Sequence, residues 1–161
     1  GGKRMKNIKS IYYNIKHDLL NLIKWFPLIW KDRDWDYEFL LDILEFKLSN
    51  MSRLHDKYGN AVNSEKIAST LRRASELAGR VSSGDYTDEA FGDKKYLIEK
   101  DEIKFVPFGK NGKSSRLVFT GLTDGEREEL YRLYKLEDEL REQDIEELFN
   151  TMKTYIRGWW D

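Results

Sequence analysis

Residues 123–159, TDGEREELYRLYKLEDELREQDIEELFNTMKTYIRGW, decide the fold. Thr123 with Glu126 three positions later forms a capping box, in which hydroxyl and carboxylate each satisfy one of the free N–H groups that open a helix. An apolar stripe then runs Leu130, Leu133, Leu136, Leu140, Ile145, Leu148, Met152, Tyr155 or Ile156, and Trp159, the spacing of one helix face. Unbroken from Asp124 to Trp159, such a helix would be about 54 Å long at roughly 1.5 Å per residue. A compact chain of 161 residues is only about 40 Å across. Either the polar step Arg141-Glu142-Gln143-Asp144 breaks the helix or half of it packs on another subunit. The second alternative makes a homo-oligomer the expected state.

Working outward, Ile11, Tyr12, Ile15, Leu19, Leu22, Ile23 and Phe26 form the stripe of an N-terminal amphipathic helix, which Pro27 ends or kinks because proline lacks the N–H. Asp32 or Asp34 can cap a second helix that runs to about Tyr58 and stops at Gly59-Asn60. That helix is apolar almost all round, with Trp35, Phe39, Leu40, Leu41, Ile43, Leu44, Phe46, Leu48, Met51 and Leu54, and is expected to be the central buried one. Asn63 caps a third helix with core positions Ile67, Leu71, Ala74, Leu77 or Ala78, and Val81, ended by Ser82-Ser83-Gly84-Asp85. The polar, glycine-containing stretch from there to about Asp101 reads as a loop with local structure. Residues 103–108 and 116–120 flank Asn111-Gly112, a strong hairpin signal. A two-stranded hairpin is marginal alone in water, so helices or another copy should cover it.

The expected fold is therefore mainly α, a helical bundle of about four helices with a β-hairpin insertion near residues 103–120. It reads as a single domain over residues 1–161, divided into an N-terminal helical hairpin (1–58), a third helix (62–82), a loop and hairpin (83–121) and a C-terminal helix (122–161). The start Gly1-Gly2-Lys3-Arg4 reads either as a tag remnant or as a ribosome-binding site translated in frame ahead of Met5, the latter pointing to a bacterial or phage gene.

Hydrophobic residues make up 40% of the chain and charged residues 35%, enough for a packed core. There are no cysteines and two histidines, His17 and His55, which excludes disulfide scaffolds, thiolate zinc sites and cysteine nucleophiles and leaves little for a histidine metal site. No serine or threonine pairs with a histidine and an acid in a nucleophile pattern. No apolar run approaches the roughly 20 residues that span a bilayer, so no membrane is expected. The net charge of −1 hides a strong polarity: residues 1–33 carry eight Lys/Arg against two Asp, and residues 122–161 six Lys/Arg against twelve Asp/Glu. Such ends favour packing of the first segment on the last, within a chain or between copies, and argue against a basic groove for long nucleic acid.

Gly109-Lys110-Asn111-Gly112-Lys113-Ser114 resembles a phosphate loop only superficially, since Pro107 stands at the first glycine's place and a strand follows. It reads as the hairpin tip. Asp34, Glu38, Asp42 and Glu45 form one carboxylate row on the second helix, and four like charges call for a cation. Mg2+ is one candidate, as in all-helical nucleoside triphosphate pyrophosphohydrolases; lysines of the first helix are the other. No Glu-x-x-Glu pair faces the row, so no metal, cofactor or catalytic residue is expected. Lys66, Arg73 and Arg80, with Arg72 beside them, lay a basic strip along the third helix whose guanidinium forks suit phosphate or carboxylate. Trp25, Phe26, Trp30, Trp35 and Tyr37 crowd around Lys31-Asp32-Arg33-Asp34, and Trp159-Trp160 lie beside Arg157. Aromatic faces next to arginines suit a base and its phosphate, although tryptophans at this density are more often core and interface anchors.

The run from Trp25 through Tyr37, then Phe46-Lys47-Leu48 with Met51, closed by Ile156-Arg157-Gly158-Trp159-Trp160-Asp161, resembles a widespread set of small tailed-phage proteins over the first 54 residues and the last ten. That set in turn resembles the anti-CBASS sponge proteins, which sequester cyclic dinucleotides or related immune signals without cleaving them. The resemblance implies a non-enzymatic phage counter-defence protein in the host cytoplasm that binds a cyclic nucleotide and carries no ligand map of its own. Side-chain chemistry then nominates Arg33, Arg72 and Arg73 for phosphates and Trp30 or Trp35 with Trp160 for bases. The alternatives are a Mg-dependent pyrophosphohydrolase using Asp34, Glu38, Asp42 and Glu45, and a protein-binding adaptor whose tryptophans engage a host or virion protein.

Overall fold

Ala68, Ala74, Ser75, Ala78 and Gly79 put little bulk on one side of the helix Ser64–Ser83, and a second helix, Glu38–Tyr58, closes onto that side. The approach is close enough for hydroxyls to reach backbone across the seam: Ser52 Oγ donates to the Ala68 carbonyl and Ser75 Oγ to the Glu45 carbonyl, both at 3.0 Å. A Cβ at Gly79 would lie 2.8 Å from the Glu45 side chain.

The computed structural model describes residues 2–31, 38–59, 63–108 and 114–160, without the side chains of residues 2–9, Ile11 and Trp160. In chain order they form α1 (Gly2–Ile29), α2 (Glu38–Tyr58), α3 (Ser64–Ser83), α4 (Thr87–Phe91), α5 (Tyr96–Lys100), β1 (Glu102–Phe108), β2 (Ser114–Thr120) and α6 (Asp124–Tyr155), with 3-10 turns at Gly92–Lys94 and Ile156–Trp160. The protein is mainly α with a β-hairpin insertion. The chain has more helices than the four expected, because the polar stretch after α3 folds into α4 and α5 around buried Phe91 and Leu97. No described helix is long and apolar enough to cross a membrane.

The capping box is present: Thr123 Oγ1 accepts from the Glu126 N–H at 3.3 Å, and Glu126 Oε2 accepts from the Thr123 N–H at 2.9 Å. From there α6 runs 32 residues without a break, about 48 Å. The polar step Arg141-Glu142-Gln143-Asp144 does not break it. The helix instead walls two apolar clusters in turn. Leu130 and Leu133 pack with Ala90, Phe91 and Leu97, while Leu148 joins Leu41, Leu48, Leu71, Leu77, Val81 and Trp159. Between the clusters the polar step turns one side chain inward. Asp144, 8% exposed, accepts from the hydroxyl of fully buried Tyr86 at 2.9 Å and pairs with Arg80 Nε at 3.1 Å. The Arg80 guanidinium also lies 4.7 Å from the centre of the Tyr86 ring. Burial, with the bond to Asp144, pushes the Tyr86 phenol well above its ordinary value, so it stays a donor.

Other expectations are corrected. The second helix is not the central one: Leu40 and Leu54 are 65% and 58% exposed, and α3, flanked by α2 and α6, takes that place. Its small residues admit close neighbours where the bulky stripe of α2 cannot. Asn63 opens α3 through its carbonyl, which accepts from the Ile67 N–H at 2.9 Å, and its side chain makes no cap bond. Gly84, at φ +63°, ends α3 by donating to the Arg80 carbonyl. Pro27 lies inside α1, which ends two residues later at Ile29; so near the end, the missing N–H costs little of the ladder.

β1 and β2 pair antiparallel from Glu102 opposite Thr120 to Phe108 opposite Ser114; the Asn111-Gly112 turn lies outside the described residues. Most of the hairpin is exposed. It is held at its base, where Arg127 donates to the Phe119 carbonyl at 3.3 Å with its guanidinium 5.6 Å from the Phe119 ring centre. Gly121, at φ +96°, makes the turn into α6, and a Cβ there would sit 2.0 Å from the Lys100 carbonyl oxygen. Lys100 bonds Glu126 at 2.5 Å, and Lys94 pairs with Glu129.

Tyr86→Phe should destabilise the protein by about 1–3 kcal/mol in urea unfolding, since it strips one donor from a buried carboxylate. Hydrogen bonds from Lys100 and Thr123 hold the Glu126 carboxyl down at about 2, and bonds from Arg132 and Lys94 hold Glu129 down at about 2, against an ordinary 4.5. A depressed folded-state value stabilises fully above the ordinary value and is lost as pH falls through the folded one. Glu126→Gln and Glu129→Gln should therefore lower Tm near neutrality, with the gap to the native protein closing as thermal melts are taken from pH 4.5 toward 2.

Candidate functional site

Of the six side chains expected to hold a ligand, Arg33 and Trp35 lie outside the described residues, as does the Trp160 side chain. Trp30 follows α1 and is 74% exposed, its ring 5.3 Å from that of Phe26. Arg72 and Arg73 sit on α3 with their forks occupied. Arg72 Nη2 bonds Asp56 at 2.7 Å, and Arg73 grips Glu147 through both nitrogens at 2.7 and 2.6 Å. That grip holds the Glu147 carboxyl below the usual range. Arg72 borders a hollow of about 280 Å3 between α2 and α3, lined also by Arg53, Glu45, Asp56 and Glu76. Trp30 does not line it.

Trp159 and Asp42 have structural partners. Trp159 is buried and donates to Thr70 Oγ1 at 3.0 Å, and its carbonyl meets His55 Nε2 at 3.3 Å. Of the carboxylate row, Asp34 lies outside the described residues and Asp42 accepts from Ser82 Oγ. Among the described residues, no three His, Asp or Glu side chains converge on a point that would suit a metal ion.

Besides the hairpin, where Ile103, Phe105 and Phe108 are exposed and no described helix covers them, two further apolar surfaces stand out among the described residues. Near its C-terminal end α1 meets α2: the Trp25 ring stands edge-on to Phe46 at 4.8 Å, Lys24 Nζ lies 5.7 Å from the same ring centre, and Leu28 borders Asp42, Phe46 and Ser49. At 3.6 residues per turn, Trp25 and Leu28 point between a quarter and half a turn away from the helix's apolar stripe. That stripe, Tyr12, Ile15, Leu19, Leu22, Phe26 and Ile29, is exposed at every position. Its 3-4-3-4-3 spacing is the repeat by which one helix packs along another, and exposed Ile23 and Trp30 widen it toward a bundle face. α1 thus touches its own chain through Trp25 and Leu28 near its end, and its described residues before them are exposed on every side, Tyr13 and Leu20 as well as the stripe.

The second surface is a groove of about 450 Å3 between α2, α3 and α6, lined by Leu40, Leu41, Ile43, Leu44, Val81, Ile145 and Phe149. Phe149 is 54% exposed. Glu142 and Glu146, each three residues before a lining residue of α6, are exposed and make no ion pair among the described residues. No protein-family model, curated protein or solved structure matches this chain.

Sequence reasoning anticipated the stripe of α1 and missed the groove. The groove's residues come from three helices, and only the neighbours of Leu40 and Phe149 in space tell them from core. Tyr86 was missed as well, although an acid in the middle of an apolar stripe was the available signal for a buried polar partner.

Proposed function

We propose that the protein is a non-enzymatic binding module that takes hold of another polypeptide through the outward face of α1. The observation that carries this reading is the exposure of that helix's apolar stripe. Trp25 and Leu28 tie it to α2, while six large apolar side chains in a packing repeat stand in water on another side. Contiguous apolar surface of this kind marks an interaction site, because its burial is the main driving force of association. Leu19→Asp with Leu22→Asp leaves the anchoring side untouched and should weaken assembly about 100-fold or more, since two carboxylates would have to enter an apolar interface. Light scattering after size exclusion, with circular dichroism to check helix content, measures both quantities. A native protein that assembles and a variant that assembles equally well would sink the reading.

A second reading is capture of a cyclic nucleotide by a phage counter-defence protein, which the resemblance to sponge proteins implies. Exposed Trp30 beside Phe26 favours it, as a free indole face on which a base can stack. Arg72 and Arg73 would then have to exchange their carboxylates for phosphate. Cyclic di- and trinucleotides should raise Tm in the native protein and less in Trp30→Ala; no shift with any of them in the native protein removes this reading.

A further inference from the structure

We infer that the partner of α1 is a second copy of this chain, and that its stripe seats in the apolar groove between α2 and α6 of that copy. The inference rests on the reading of α1 as the binding element and names what it binds. Three observations select this occupant.

Leu40 and Leu44 of the groove face away from the chain's own α1, while Ile43 at its rim lies within one turn of Phe46. Phe46, which meets Trp25, lies on nearly the opposite side of α2 from Leu44 of the groove, since two residues advance a helix by about 200°. The chain's own α1 therefore leaves α2 on the flank away from Leu44. Small molecules are a poor fit as well: the lining is aliphatic with one phenyl ring, and a ligand pocket needs a few converging polar groups to orient what it binds. An apolar helix face asks for no such groups.

Charge then separates two ways of pairing copies. α1 carries six Lys/Arg against Asp18 alone, whereas α6 carries eleven Asp/Glu against five Lys/Arg. Two α1 helices side by side would set like charge against like, while α1 laid on α6 meets Glu142 and Glu146 at the groove's edge. Opposite potentials of this kind choose the partner and the register more than they set affinity. The arrangement is reciprocal: each copy lends its α1 and offers its groove, the self-complementary pattern of a two-fold dimer.

The test uses two variants of the full chain and their mixture. Leu19→Asp with Leu22→Asp disables the stripe; Leu40→Lys with Phe149→Lys disables the groove at exposed positions, so folding is preserved. Sedimentation velocity should find the native chain as a dimer and each variant at least about tenfold weaker. Mixing the two should restore association, because the stripe of one and the groove of the other still form one intact contact. Glu142→Lys with Glu146→Lys should also weaken the dimer. A groove variant that associates like the native chain, with no gain on mixing, overturns the inference in favour of stripe-to-stripe pairing and leaves α1 as the binding element. A native chain that stays monomeric at all concentrations overturns it too. The reading of α1 then survives only if the stripe variant loses some other polypeptide, and both fall if that variant behaves as the native protein throughout.

Discussion

The close approach of α2 to α3 is the constraint on which the rest of the structure depends. Alanine, serine and glycine on α3 let the helices meet at a distance where Ser52 and Ser75 bond the opposing backbone, and those bonds fix how α2 is rotated about its axis. With Leu41 and Leu48 turned inward, Phe46 must emerge on one flank, where Trp25 finds it, and Leu40 and Leu44 on the other, where they border the groove. One packing seam therefore decides both where α1 is anchored and which apolar surface is left open.

A second constraint is polar. Asp144 sits where α6 passes from one apolar cluster to the other, and a buried carboxylate is tolerated only when its partners are in place. Tyr86 and Arg80 supply them. The arginines that look free for a ligand in the sequence are drawn into the same kind of work: Arg80 to Asp144 and Glu89, Arg73 to Glu147, Arg72 to Asp56. The Arg72 and Arg73 pairs are about half exposed, and a phosphate would have to displace their carboxylates.

Much of the fold was legible. Periodicity located α1, α3 and α6, the Thr123–Glu126 box marked where α6 begins, and the paired β-branched and aromatic runs located the hairpin strands. What failed was depth. The stripe of α2 says that the helix is apolar, but the small residues that make α3 the middle helix carry little hydrophobic signal. Residues 87–100 look polar because two short helices bury only a few side chains each. The candidate site was less legible: Arg72 and Arg73 were rightly placed on a basic strip, but their acceptors are 16 and 74 residues away in sequence, and only the fold brings them into range.

The unbroken α6 also ties the two halves of the molecule into one thermodynamic object. Each apolar cluster uses part of the same rod as a wall, so loosening either one frays the support of the other. Heat or denaturant should accordingly meet a single cooperative unit in the region from α2 to the end of the chain, however separate its two hydrophobic centres are in space.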